Sequence, residues 1–180
     1  MLRADKVLLR PLKRSDITNF LKWFNDPEVT QYLLFYLPMT EMAEEKWIEN
    51  AASRIQAGTD VYLVIEAIEG DSSKPIGNIV LGGINPRDHS ATFGITIGEK
   101  DYWGTGYGTE ATQLILDYGF QQLNLHRISS SAFDFNERSI MLHKKVGFKE
   151  EGRQREAIFK NGHFHDHVMF GILKDEWKGH

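Results

Sequence analysis

The stretch Trp103-Gly104-Thr105-Gly106-Tyr107-Gly108-Thr109 sets a glycine at every second position between a strand-like segment and a helix-like one. Glycine lacks a Cβ, so such a loop lets backbone N–H groups come close to a ligand and aim at one point. The helix that follows adds the partial positive charge of its N-terminus. Together they form an anion site suited to a diphosphate, and no lysine stands in the loop. A chain with this feature has to run strand, glycine turn, helix in succession, which points to an α/β architecture.

The rest of the pattern supplies the partners of that unit. Residues 7–12 read as a first strand, closed by Pro11. Ser15 or Asp16 reads as the N-cap of a helix carrying Phe20, Leu21, Trp23 and Phe24, and Asn25-Asp26-Pro27 ends it. A second helix is expected over 40–57, capped by Thr40, with Glu41, Glu44 and Glu45 in its first turns, where the dipole favours anions. Strands follow at 61–69, 75–85 and 91–98, separated by Gly70-Asp71-Ser72-Ser73 and Asn85-Pro86-Arg87-Asp88. Connections this short join antiparallel neighbours. Beyond the loop come a helix at 107–123, a strand at 127–133 and a helix at 137–145 stopped by Gly147. Strands at 152–160 and 163–173 close the chain around Asn161-Gly162, a strong hairpin signal. The expected fold is one α/β (α+β) domain over residues 1–180, a mixed sheet of about seven strands with flanking helices.

Composition removes several functions. With no cysteine there is no disulfide, zinc–thiolate site or cysteine nucleophile, so any acyl transfer is direct or uses another nucleophile. The net charge of −4 argues against a nucleic-acid partner and tolerates a cationic substrate. The longest run of large apolar residues, 61–65, falls far short of the ~20 that span a bilayer. Arg3, Asp5 and Lys6 interrupt the early apolar stretch where a signal peptide would lie, so a cytoplasmic location without membrane contact is expected.

Alone, the glycine loop also fits a flexible turn or a dinucleotide site. A dinucleotide fold adds further parallel βα units and an acid after the second strand. Asp134 holds such a position, yet antiparallel-type strands precede the loop and a hairpin ends the chain. A P-loop is excluded because no Gly-Lys-Ser/Thr follows.

A second motif narrows the choice. Gly104-x-Gly106-x-Gly108-Thr-Glu-Ala is followed downstream by Asn136-x-x-Ser139-x-x-Leu-x-x-Lys145-x-Gly147-Phe148. Leu9-Arg10-Pro11-Leu12 and Trp23-Phe24-Asn25-Asp26-Pro27 open the chain, and Glu151-Gly152 through Asn161-Gly162 to Asp166 close it. This set resembles the GNAT N-acetyltransferase superfamily, and more narrowly its RimJ/RimL-like subgroup of ribosomal-protein-alanine acetyltransferases and their relatives.

The resemblance implies acetyl-CoA as co-substrate, no metal, and a primary amine as acceptor, on a small molecule or a peptide N-terminus, in a monomer or homodimer. It implies that strand Ile95-Thr96-Ile97 splays from its neighbour and bonds the pantetheine arm, with an amide near Ile97 facing the thioester oxygen. The diphosphate falls on Gly104, Thr105, Gly106, Tyr107, Gly108 and Thr109, and Asn136 and Ser139 flank the arm. Trp103 stands where the family signature carries a Gln or Arg, which replaces a polar contact by packing. Ser139 matches the proposed acid of the RimL-like proteins, and His143, one helical turn on, is a second candidate. The base of the ribosomal-protein enzymes falls at Ile158, so Glu156 on the same strand face is the expected substitute, with Glu99 a weaker one. Trp23, Phe24, Tyr32, Phe35 and Tyr36 suggest an aromatic acceptor pocket. His163, His165 and His167 share a strand face without a carboxylate or cysteine signature, so no metal is expected. Against the enzyme stand a non-catalytic acetyl-CoA sensor and, more distantly, a nucleotide-dependent enzyme.

Overall fold

The computed structural model describes residues 1–179. Its elements are β1 (Leu2–Arg3), β2 (Val7–Pro11), α1 (Ile17–Phe24), α2 (Pro27–Thr30), α3 (Glu41–Gln56), β3 (Val61–Glu69), β4 (Ser72–Asn85), β5 (Ser90–Ile97), α4 (Tyr107–Asp117), β6 (Arg127–Phe133), α5 (Glu137–Lys145), β7 (Lys149–Lys160) and β8 (His163–Leu173). One mixed sheet of eight strands has the order β1-β2-β3-β4-β5-β6-β8-β7. The strand beyond the expected seven is β1, whose two residues pair with Leu8 and Leu9 and are too few to show a period. All neighbours are antiparallel except β5 and β6.

Alternation along the strands builds two packing layers. Ile65 and Ala67 of β3, with Ile79 and Leu81 of β4, meet Ala111, Ile115 and Leu116 of α4. Tyr62 and Val64 of β3, with Val80 of β4, face the other way and meet Phe20, Trp23 and Phe24 of α1 and Trp47 of α3. Glycine is required where these layers press closest: a Cβ on Gly98 would lie 2.1 Å from the Trp23 ring.

Local signals hold where the side chain is free to answer them. Thr40 caps α3 by accepting from Ala43 N, and Asn136 caps α5 by accepting from Ser139 N. Asp26 accepts from Glu28 N, so the residues that end α1 also start α2. Asp16 is different: its carboxylate is drawn to the buried Arg10, at 2.7 and 2.8 Å, and makes no cap bond to α1. Arg10 also donates to Glu66 at 2.5 Å, which completes a buried triad. The α4 helix gives way after Asp117 to a π-turn, Tyr118–Gln122, that keeps Phe120 buried.

Candidate active site

The site begins where β5 leaves β6. Their parallel pairing covers only Ser90↔Arg127 to Thr92↔Ser129, although both strands continue. Just past the last pair, Ser130 Oγ lies 3.0 Å from Phe93 O and 2.7 Å from His143 Nε2. Phe93 O thus faces β6, and by strand alternation the backbone groups of Ile95 and Ile97 face the same opening. Thr96, between them, is turned to Asn78 of β4. The opening is the floor of a cavity of about 740 Å³.

The glycine loop stands at one end of that cavity. Gly104, Gly106, Gly108 and Thr109 line it, and Gly106 precedes α4 at φ 97°, a left-handed conformation that glycine adopts without strain. Trp103 lines it as well, and its indole Nε1 donates to Ile97 O at 2.7 Å, fastening the loop to the β5 end. Thr105 and Tyr107 do not line the cavity. Thr105 Oγ1 donates to Tyr102 O, and the Tyr107 ring packs edge-on against Tyr102. From β2's approach, Lys6 brings its ammonium within 4.0 Å of the Cβ position of Gly106. Nothing local in the sequence pairs residues so far apart.

Helix α5 supplies the opposite wall. Asn136, Arg138, Ser139, Leu142, His143 and Lys145 line the cavity. Ser139 and His143 come together, the hydroxyl 3.4 Å from Nδ1. That nitrogen lies 2.6 Å from Ser139 O, which assigns its hydrogen as donor to the carbonyl. The imidazole is 2% exposed and stacks on Phe170. Burial pushes its pKa down, against the bond to the Ser139 carbonyl, so the ring is neutral at pH 7. Arg138 was not read from the sequence. Its guanidinium lies over the Trp103 ring at 4.1 Å and donates to Tyr32 OH at 3.3 Å.

The third wall is aromatic and comes from α1, the segment between α2 and α3, α3 itself and β3. Phe24, Tyr32, Phe35, Trp47 and Tyr62 line it, whereas Trp23 is buried in the core and Tyr36 points outward. Lys160 of β7 donates to Leu33 O and Phe35 O at 2.8 and 2.7 Å, holding this segment in place. Within the wall sit two polar residues that the sequence did not mark as site residues. Glu44 of α3 is 1% exposed and Asn78 of β4 is 6% exposed.

Glu156 lies elsewhere. The β7–β8 register jumps from Gln154↔His167 to Ile158↔His165, so residues 155–157 oppose Asp166 alone. Glu156 takes φ 51° in this bulge, donates its backbone N–H to Asp166, and leaves its side chain exposed and off the cavity wall. The expected shared face with Ile158 is lost with the register. Glu99 is committed elsewhere: burial acts to raise its pKa, but donors Lys22 and Trp23, at 2.5 and 2.8 Å, outweigh it and hold the carboxylate ionised. The strand histidines keep their shared face but meet different surroundings, with His163 exposed and its ring 6.5 Å from that of His165, His165 3.3 Å from Asp134, and His167 on the cavity wall.

The sequence and the fold recur in known proteins. The chain is 31% identical to the uncharacterized N-acetyltransferase p20 of Bacillus licheniformis, over 99% of this chain and 98% of that one. Spermidine N-acetyltransferase from Vibrio cholerae, solved with CoA and spermine, superposes with a TM-score of 0.83 at 28% identity, covering 95% of this chain and 97% of that one. A ribosomal-protein-S5-alanine acetyltransferase from Vibrio fischeri shares the fold, with a TM-score of 0.83 at 22% identity over 98% and 97% of the two chains. No described helix is long and apolar enough to cross a membrane. Residues 6–149 match the acetyltransferase (GNAT) domain, and the chain belongs to that family.

Proposed function

We propose that this N-acetyltransferase holds acetyl-CoA between β5 and α5 and passes its acetyl group to a primary amine by direct attack. The single observation that carries this is the early parting of β5 from β6 beside the N-terminus of α4, both on one cavity. The unpaired edge at Ile95 and Ile97 suits an amide-bearing arm, and the amides from Gly104 to Thr109 suit its diphosphate. The bound coenzyme supplies an acetyl thioester, an acyl group on a good leaving group. Asn136 spends its side-chain oxygen on the α5 cap, so its amide nitrogen is the end offered to the arm. The Ile97 N–H polarises the carbonyl under attack. Ser139, at the cavity with His143 behind it, gives the departing sulfur its proton, and His143 steadies the backbone that carries it by donating to the Ser139 carbonyl. A cytoplasmic setting, as monomer or homodimer, matches this donor.

The test is thermal melting with acetyl-CoA beside thiol release across an amine panel. Acetyl-CoA should raise Tm, and free thiol should appear only when amine is present. Stabilisation without thiol release from any amine would favour a coenzyme sensor over an enzyme.

A further inference from the structure

The aromatic wall of the cavity contains an isolated buried carboxylate. Glu44 is 1% exposed, its Oε1 has no hydrogen-bond partner, and no ion pair reaches it among the described residues. Across from it, Tyr62 OH accepts from Asn78 Nδ2 at 2.7 Å, while Asn78 Oδ1 is also buried without a partner. Trp47 packs against Tyr62 with ring centroids 4.7 Å apart. Two unsatisfied acceptor oxygens in one apolar wall disfavour the empty site, because a buried polar group without a partner costs about 1–3 kcal/mol. A donor-rich cation bordered by aromatic faces satisfies both.

We propose that Glu44 and Asn78 bind the ammonium of the acceptor, and that the acceptor is a primary amine with one positive charge and an otherwise apolar body. The inference rests on the acetyltransferase reading of this cavity and names the substrate class for it. Position supports it: Asn78 is paired directly with Thr96, so the ammonium would lie beside the strand assigned to the thioester. Charge supports the single cation. Glu44 is the one acidic residue on the cavity wall among the described residues, and the other charged groups there, Arg138 and Lys145, repel a second ammonium.

The same residue answers the need for a base. Burial raises the Glu44 carboxyl to about 7, so near neutral pH it can accept a proton from an ammonium. The titratable group facing it is Tyr62 of β3, kept neutral by burial and by Glu44 itself, and β4 adds only the uncharged Asn78. Glu44 takes one proton from R–NH3+, the freed lone pair forms the C–N bond, and the C–S bond breaks with its electrons on sulfur. Ser139 gives its proton to the thiolate, and a second nitrogen proton replaces it on the hydroxyl, leaving one on the amide. Glu44 then returns its proton to solvent.

The experiment compares 2-phenylethylamine with spermidine as acceptors for the wild type, Glu44→Gln and the off-cavity control Glu45→Gln. Wild type should give at least a tenfold higher kcat/KM for 2-phenylethylamine. Glu44→Gln should lower that value about 100-fold, the low end for acid–base groups, and abolish its loss below pH 7. The stabilisation by acetyl-CoA should stay intact in all three proteins. Better turnover of spermidine, turnover of neither amine, or full activity in Glu44→Gln overturns the proposal. A missing acetyl-CoA shift in the wild type instead overturns the coenzyme assignment beneath it. Near-isosteric Gln removes a desolvated charge, and circular dichroism with the coenzyme shift verifies the fold.

Discussion

Glu44 stands at the start of α3, where sequence alone reads it as one of three acids favoured by the helix dipole. Only packing separates it from Glu41, which is exposed, and from Glu45, which is half-buried and reaches Arg14, while Glu44 faces Tyr62. The consequence reaches stability. Burial raises its pKa from 4.5 to about 7, so the folded protein holds a proton that the unfolded chain releases as pH rises through this window. Stability from this group is full below pH 4.5 and is lost as pH climbs to about 7. At about 1.4 kcal/mol per unit the loss approaches roughly 3 kcal/mol. Urea unfolding at pH 5 and pH 8 should show a pH-dependent loss in wild type that Glu44→Gln reduces by about that amount. Equal losses in both proteins would mean that the carboxylate is better solvated than the fold indicates. Ser139 gives the contrasting case of a cavity hydroxyl whose loss should be felt in the rate. Ser139→Ala should lower kcat about 100-fold or less with little change in KM for acetyl-CoA, because a thiolate leaves readily even without an acid.

At the scale of elements, legibility followed the range of the deciding interaction. The Thr40 and Asn136 caps and the turn at Asn161-Gly162 rest on neighbours in the chain, and the structure realises them. The glycine loop was readable because each of its features, spacing and following helix, is local. What sequence could not show was set across strands or between layers: the Arg10 claim on Asp16, and the β7 bulge that turns Glu156 away. A register shift is invisible to a two-residue period, since the period resumes after it. Two outcomes follow. Glu156→Gln should leave kcat within twofold of wild type at every pH, and a shifted lower limb of the pH profile would return it to the mechanism. Gly106→Asp forces a side chain into a left-handed backbone and sets a carboxylate at the anion cradle. The acetyl-CoA shift in Tm should vanish in that variant while the free protein still melts cooperatively. An undiminished shift would move the diphosphate to another site.

For the whole molecule, the two faces of one sheet divide the work. The α4 side forms the larger apolar core, while the α1 and α3 side keeps its aromatic residues around a cavity. Site residues therefore arrive from distant parts of the chain: Glu44 and Tyr62 early, Gly106 in the middle, Ser139 late. Charge poses a further problem at this scale. The chain carries a net charge of −4, which disfavours an anionic coenzyme at long range, so binding depends on positive groups focused at the cradle. The N-terminus of α4 provides half a charge, and Lys6 is the ammonium set beside Gly106. Reversing Lys6 to Glu should weaken acetyl-CoA binding about tenfold at low salt, consistent with loss of one exposed charge contact and gain of a repulsion. The difference should shrink as ionic strength rises toward 0.5 M, because exposed charges are screened within about a Debye length. Isothermal titration of both proteins at about 0.05 M and 0.5 M salt measures this directly. Equal affinities at low salt would show that the backbone amides and helix dipole hold the diphosphate without Lys6.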